Sequence, residues 1–285
     1  MTGADDLFAA YVKQRMQAGE TAWILSPGTP VPVQPLRSEE RSSGTGIPPR
    51  EQTPASPRAG RQRRAPAASA GPKWSKGLPD VPGSGIVIPA PPTDLFSADP
   101  LANRTLAELE DVIRACTACV LCKRRKQAVP GEGPGDARLV VVGEGPGARE
   151  DDLGRPFVGR AGELLTDILS AIELPRERVF ICNVVKCRPP DNRTPAQDEI
   201  EACMPFLHRQ LAIIRPAVIL AMGATAAQAL LQTRQSLGSM RNQVHEYRGI
   251  PLIVTYHPAA LLRNPNWKKP TWDDVRIARR LVDRA

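Results

Sequence analysis

No stretch of this 285-residue chain strings together the roughly 18 apolar residues that a membrane-spanning helix needs. The best candidate, residues 217–231, is broken by Gly223, Thr225 and Gln228, which excludes a membrane span. The amino terminus, Met1-Thr2-Gly3-Ala4-Asp5-Asp6, lacks the basic start and apolar core of an export signal, so a cytoplasmic protein is expected. Six cysteines in a reducing compartment are then metal ligands or core residues rather than disulfide partners. A nucleotide loop is also missing. Gly143-Glu144-Gly145-Pro146-Gly147 is Gly-rich but has neither the G-x-G-x-x-G spacing nor the P-loop lysine.

What is present is unevenly spread. Sixteen of the 30 prolines precede Leu101, together with Gly/Ser/Ala tracts and the basic run Arg58, Arg61, Arg63, Arg64. Such composition cannot bury enough apolar surface to offset chain entropy, so residues 21–100 are expected to form a disordered extension. Ahead of it, Leu7, Phe8, Tyr11, Val12 and Met16 fall near helical spacing, predicting a short amphipathic helix within residues 1–20 that could dock a protein partner. The first hundred residues hold 11 Lys/Arg and 9 Asp/Glu, leaving 27 of 38 basic and 21 of 30 acidic residues for the folded domain at 101–285. That excess favours a polyanion such as DNA or RNA without proving one.

From Asn103 onward the pattern becomes periodic. Strands are predicted at Arg138–Gly143, Val179–Val185, Ala217–Met222 and Pro251–Tyr256. Helices are predicted at Thr105–Ala115, Gly162–Ile172, Pro195–Ile214, Ala224–Leu231 and Trp272–Val282. Alternation of this kind implies an α/β fold: a three-layer αβα sandwich around a mostly parallel four-stranded sheet. Ligands in such sheets sit beyond the carboxyl ends of the strands. Glu144–Gly147, Asn183, Gly223 and His257 all occupy those ends, so the polar candidates converge on one edge.

The cysteines form a second constellation. Cys116, Cys119 and Cys122 offer two overlapping C-x2-C pairs, answered far downstream by Cys187 and Cys203. Four thiolates so arranged suit zinc or a [4Fe-4S] cluster. Cys182, among apolar strand neighbours, reads as a core residue.

Three motifs carry a resemblance. Gly143-Glu144-Gly145-Pro146-Gly147-Ala148-Arg149-Glu150-Asp151, continued by Gly154-Arg155-Pro156-Phe157-Val158-Gly159, is similar to the first motif of the uracil-DNA glycosylase superfamily, and closest to its iron-sulfur family 4. Asn183-Val184-Val185-Lys186-Cys187-Arg188-Pro189-Pro190 and Tyr256-His257-Pro258-Ala259-Ala260-Leu261-Leu262-Arg263 resemble the other two, in the same order, over about residues 105–282.

The resemblance implies a monofunctional enzyme that flips uracil out of DNA, single- or double-stranded, and hydrolyses its glycosidic bond to initiate base excision repair. The chain is expected to act as a monomer. It implies Phe157 as the stacking face, Asn183 as the reader of the uracil edge, Gly145 as close-approach backbone, and His257 against uracil O2. Gly145 stands where the best-known relatives carry a water-positioning Asp, so Glu144 and Glu150 are the remaining catalytic carboxylates, Glu150 at the pocket wall near uracil C5. Leu261 is expected to wedge into the base stack, with Leu262 as its competitor, and Arg263 to meet phosphate. The family pattern selects Cys116, Cys119, Cys187 and Cys203 as ligands and a [4Fe-4S] cluster over zinc. No lysine is placed for Schiff-base chemistry, and the segment Arg188–Pro195 holds no histidine that could crosslink to DNA. The competing class is a non-catalytic binder of damaged DNA or a replication accessory protein on the same fold.

Overall fold

The computed structural model describes residues 72–90 and 101–285. Chain contacts divide at Ser69/Ala70, and the second unit, Ala70–Ala285, contains all of the described residues. The helix expected within residues 1–20 lies outside them, as do residues 21–71 and 91–100 of the expected extension.

The sheet grows from four apolar runs too short for helices. They form β2 (Leu139–Gly143), β3 (Phe180–Asn183), β4 (Val218–Met222) and β6 (Ile250–Thr255). All four are parallel, in spatial order β6-β4-β2-β3. Every residue of β2, β3 and β4 is buried, as expected where helices cover both faces.

Alternation sorts these side chains into two cores. Val140, Val142, Ile219 and Ala221 face one layer, while Leu139, Val141, Leu220 and Met222 face the other. The first layer is built by Leu109 and Ile113 of α1 (Leu106–Ala115), Leu207 and Leu211 of α4 (Gln197–Ile214), and Leu230 of α5 (Ala224–Leu231). The second is built by Leu165 and Leu169 of α3 (Arg160–Ala171) and Val275 and Val282 of α8 (Lys268–Arg284). Each fully buried aliphatic side chain contributes about 1.5–3 kcal/mol of transfer free energy. The sequence marks where the layers begin: α1 opens on a capping box in which the Thr105 hydroxyl accepts from Glu108 N–H, and the Glu108 carboxylate accepts from Thr105 N–H.

The sheet has six strands rather than the expected four. β5 (Val244–Tyr247) forms a hairpin with β6, and β1 (Ser84–Ile88) lies parallel to β5 at the outer edge. Thus 84–88, inside the stretch expected to be disordered, is an ordered strand. It is locked in by the buried His245, whose Nδ1 accepts from Ile86 N–H at 2.9 Å while Nε2 faces Met240 O at 2.7 Å. Upstream, the carbonyl of the buried Trp74 accepts from Arg276 Nε on α8. These anchors are long-range side-chain contacts, which proline content and local hydropathy do not report. Three further short helices complete the fold: α2 (Ala148–Leu153), α6 (Leu237–Met240) and α7 (Pro258–Arg263). Among the described residues no helix is long and apolar enough to cross a membrane.

Candidate active site

The carboxyl edge of the parallel strands gathers the predicted residues. Gly143 ends β2 directly opposite Asn183 at the end of β3, and the pairing continues outward through Val184 N–H to Gly143 O and Val185 N–H to Glu144 O. A Cβ on Gly143 would stand 2.5 Å from Asn183 Oδ1 and 2.6 Å from Phe157 Cζ. Those two groups therefore close on the backbone of Gly143, and any side chain there would displace them. Gly145 is similarly confined, 2.7 Å from Val185 Cγ2 by the same measure.

Asn183 is 2% exposed, and its Oδ1 is buried without a hydrogen-bond partner among the described residues. Leaving such an acceptor unpaired costs about 1–3 kcal/mol. The fold thus holds a carbonyl oxygen ready for an incoming N–H donor.

Phe157 sits in the left-handed backbone region, at φ 50°, which a non-glycine residue occupies only when its surroundings impose it. Here they do. Arg176 Nη1 donates to Phe157 O at 2.9 Å and Nη2 to Pro156 O at 2.5 Å. On the other side, Val158 and Gly159 N–H groups both donate to Glu150 Oε1 at 2.9 Å. Glu150, expected as a catalytic carboxylate at the pocket wall, therefore has one oxygen committed to the loop that presents Phe157.

Glu144, the first residue past β2, accepts the Thr225 hydroxyl at 2.5 Å through Oε2. Thr225 lies at the start of α5, so β2 and the crossover from β4 fix this carboxylate together. Sequence reading missed Thr225, which had no motif to mark it. Asp151, the carboxylate standing behind Glu144 and Glu150 in the motif, is turned away to another use: its buried Oδ1 accepts from Lys126 and Gln127 N–H at 2.9 and 3.4 Å, tying α2 to the cysteine segment.

His257 follows β6 and caps α7. Its Nδ1 accepts from Ala259 N–H at 3.2 Å, so the neutral ring carries its proton on Nε2. Burial, helped by the Arg263 charge and opposed by Glu150, lowers its pKa to about 4. The ring stacks at 5.4 Å from Phe157, with an interplanar angle of 29°.

Of the two wedge candidates, Leu261 is 1% exposed and packed inward from α7, whereas Leu262 is 43% exposed. Successive helical residues point about 100° apart, so the pair does not share one face. Arg263 is exposed beside Leu262 in the last turn of α7.

The cysteines also converge. Cys116, Cys119, Cys122, Cys187 and Cys203 line one cavity with Arg125 and Lys186. Arg125 Nη1 donates to Cys187 Sγ at 2.9 Å, and Lys186 N–H to Cys203 Sγ at 3.3 Å. Burial raises the Cys119 and Cys187 thiols and pushes Cys203 up to about 11. Cys182 is fully buried in β3, among the core residues. Among the described residues no group of three or more His, Cys, Asp or Glu closes tightly enough for one metal ion.

An α/β sheet with a buried amide, an aromatic face and a neutral imidazole at its carboxyl edge defines a protein that recognises a flat, hydrogen-bonding ring such as a nucleobase. The profile of the Uracil DNA glycosylase superfamily matches residues 130–277, which contain all of these groups. The type-4 uracil-DNA glycosylase of Pyrobaculum aerophilum is 48% identical over 168 residues, 56% of this chain and 86% of that protein. That of Thermotoga maritima is 51% identical over 154 residues, covering 53% and 80%. A type-5 uracil-DNA glycosylase of Pyrobaculum aerophilum is more distant, 30% identical over 150 residues, covering 47% and 66%. The chain belongs to the uracil DNA glycosylase superfamily and, within it, to the type-4 uracil-DNA glycosylases.

Proposed function

We propose that this chain is a uracil-DNA glycosylase that flips uracil out of DNA and hydrolyses its N-glycosidic bond, opening base excision repair in the cytoplasm. The observation that carries the reading is the orphaned, 2%-exposed amide of Asn183 beside Phe157. Uracil presents N3–H to the waiting Oδ1 and O4 to the amide NH2. Cytosine offers an unprotonated N3 and an amino group in those places, so it leaves the buried amide mispaired. Phe157 supplies the stacking face, held in its strained conformation by Arg176 and Glu150.

Bond cleavage leaves negative charge on the uracil O2 and positive charge on the sugar. His257, neutral and protonated on Nε2, donates to O2 without first having to lose a charge, an oxyanion-type contribution of about 3 kcal/mol. Glu144, oriented by Thr225, faces the cationic sugar and orients the attacking water. Glu150 acts as a positioning residue for the Phe157 loop. Leu262, not Leu261, fills the gap left by the flipped base, and Arg263 neutralises the adjacent phosphate.

Cys116, Cys119, Cys187 and Cys203 are assigned as ligands of a [4Fe-4S] cluster, with Cys122 spare. Zinc, with Zn–S bonds of about 2.3 Å, would draw four sulfurs to within about 3.8 Å of one another. The thiols line one shared cavity and N–H donors already point at two of the sulfurs, while the choice of cluster over zinc follows the family resemblance. When bound, the cluster supplies structure rather than electrons, because hydrolysis transfers none. The decisive test is incubation of the purified protein with a uracil-containing oligonucleotide followed by alkali. Strand scission at uracil is expected, and intact strands would return the chain to the class of non-catalytic binders.

A further inference from the structure

Lys186 is the most deeply buried basic side chain of the domain, 1% exposed, at the junction between the uracil-reading strand end and the cysteine cavity. Its ammonium donates to two neutral acceptors, Asn183 O at 2.7 Å and Gln210 Oε1 at 2.7 Å. Gln210, itself 2% exposed on α4, passes the connection on by donating Nε2 to Pro130 O at 2.8 Å. The Lys186 main chain is equally engaged: its N–H reaches Cys203 Sγ at 3.3 Å, and its carbonyl accepts from Val129 N–H at 2.7 Å.

Among the described residues no carboxylate forms a salt bridge with Lys186. Of the three buried carboxylates among these residues, Glu199 and Asp274 are taken by Arg193 and Arg241, and Asp151 Oδ1 accepts the main-chain N–H groups of Lys126 and Gln127. A buried ammonium without a counter-charge is strongly disfavoured. What surrounds this residue is sulfur: Lys186 lines the cysteine cavity with Cys187 and Cys203, and its own N–H donates to Cys203 Sγ at 3.3 Å. The missing negative charge would arrive with a thiolate-bound cluster.

We propose that Lys186 is a positioning residue with two linked tasks: it clamps the main chain of Asn183 in register for uracil, and it supplies the buried positive charge that balances the thiolate-bound cluster. This deepens the uracil and cluster assignments above and rests on both. The geometry links the tasks through one residue, because its ammonium touches the Asn183 carbonyl while its own backbone N–H holds a cavity-bordering sulfur. The cluster thereby secures the uracil reader electrostatically as well as through the chain.

The test uses holoenzyme purified without air, comparing wild type with Lys186→Met, Gln210→Glu and Gln210→Leu. Iron content, cluster reduction potential by protein-film voltammetry, and kcat/KM on uracil DNA are measured. Lys186→Met removes the charge at similar volume and should make the cluster easier to oxidise, by on the order of tenfold in its redox equilibrium, about 59 mV toward negative for one electron. It should also lower kcat/KM at least about tenfold, through loss of a charge-assisted hydrogen bond. Gln210→Glu neutralises the ammonium in place and should shift the potential in the same direction. Gln210→Leu loosens the clamp but keeps the charge, so kcat/KM should fall while the potential stays at the wild-type value.

A Gln210→Glu potential equal to wild type overturns the charge role, even if Lys186→Met does not fold. A Gln210→Leu enzyme with unchanged kcat/KM overturns the clamp. Wild type lacking iron defeats the cluster assignment and the charge role together, and iron-loaded wild type that leaves uracil DNA intact defeats the uracil assignment and the clamp. Iron-loaded, active wild type with unaffected variants defeats this proposal alone.

Discussion

The uracil-facing edge and the cysteine cavity flank the same five residues, Asn183 to Cys187, yet they are finished to different degrees. At the edge, Phe157, Glu144, Glu150 and His257 each have a hydrogen-bond partner, and the orphan there among the described residues is Asn183 Oδ1, the atom proposed to meet uracil N3–H. In the cavity, burial disfavours the thiolate forms of Cys119, Cys187 and Cys203. The edge is thus hydrogen-bonded within the polypeptide alone, whereas the cavity gathers buried thiols that, on the cluster assignment proposed above, a metal group would complete. On that assignment, the brace enters the chain at Cys187, four residues beyond Asn183.

The largest expected effect tests the prebuilt side. Asn183→Ala removes both hydrogen bonds to the uracil edge, and kcat/KM should fall by about a thousandfold or more. Iron content and melting temperature should remain near wild type, because the lost side chain makes no hydrogen bond to the rest of the protein through its oxygen. Concurrent loss of iron would mean that pocket and cavity are one structural unit, and the contrast would fail. The opposite side is tested by Cys203→Ser. It should lower bound iron severely and reduce the melting temperature by several degrees, since binding free energy of a metal group is also folding free energy. Cys182→Ser, whose residue lies in β3 away from the cavity lining, should keep its iron. Equal iron loss in both would remove the distinction between ligand and core thiol.

How far the sequence disclosed these two regions depended on whether the information was local. The four parallel strands were legible because runs such as Leu139-Val140-Val141-Val142 are apolar on both faces, which only a covered parallel strand needs. β5 and β1 were not. Val244-His245-Glu246-Tyr247 has mixed polarity, and Ser84–Ile88 lies in a proline-rich background, so their strand character comes from the pairing of β5 with β6 and of β1 with β5. In the site, Phe157, Asn183 and His257 could be found because motifs mark them. Thr225 and Lys186 could not, because a threonine opening a helix or a lysine just past a strand ordinarily faces water. The tandem Leu261-Leu262 was undecidable for a geometric reason: which leucine faces out depends on the rotation of α7 about its axis, and that is set by packing against the domain.

That rotation gives the next prediction, one helix turn carrying both a structural and a DNA-facing leucine. Leu261→Ala should cost about 2–5 kcal/mol of stability, as for any buried leucine truncation, measured by chemical denaturation. Leu262→Ala should leave stability within about 0.5 kcal/mol. Its activity on double-stranded substrate should fall on the order of tenfold, with a smaller loss on single strands, where there is no base stack to wedge open. The reverse pattern would restore Leu261 as the wedge.

The smallest effect concerns pH, and it separates two histidines that share a depressed pKa and differ in where they sit. His257 in the pocket and His208 on α4 are both lowered to about 4 by burial, with Arg263 and Arg248 respectively adding repulsion. In the unfolded chain each would titrate near 6.5. Between those values the unfolded state binds protons that the folded state refuses, so stability is flat above about pH 6.5 and declines as the pH falls toward 4. His208→Gln should make that decline shallower without altering uracil cleavage, since His208 contacts Arg248 and Tyr247 rather than any pocket group. His257→Gln should also flatten it but abolish most cleavage. The wild-type kcat/KM should show no inflection near 6.5, because His257 stays neutral through that range with its proton on Nε2. A rate that rises as pH falls through 6.5 would mean the pocket gains its donor by protonation, and the prebuilt side of the comparison would then depend on solvent as the cavity depends on metal.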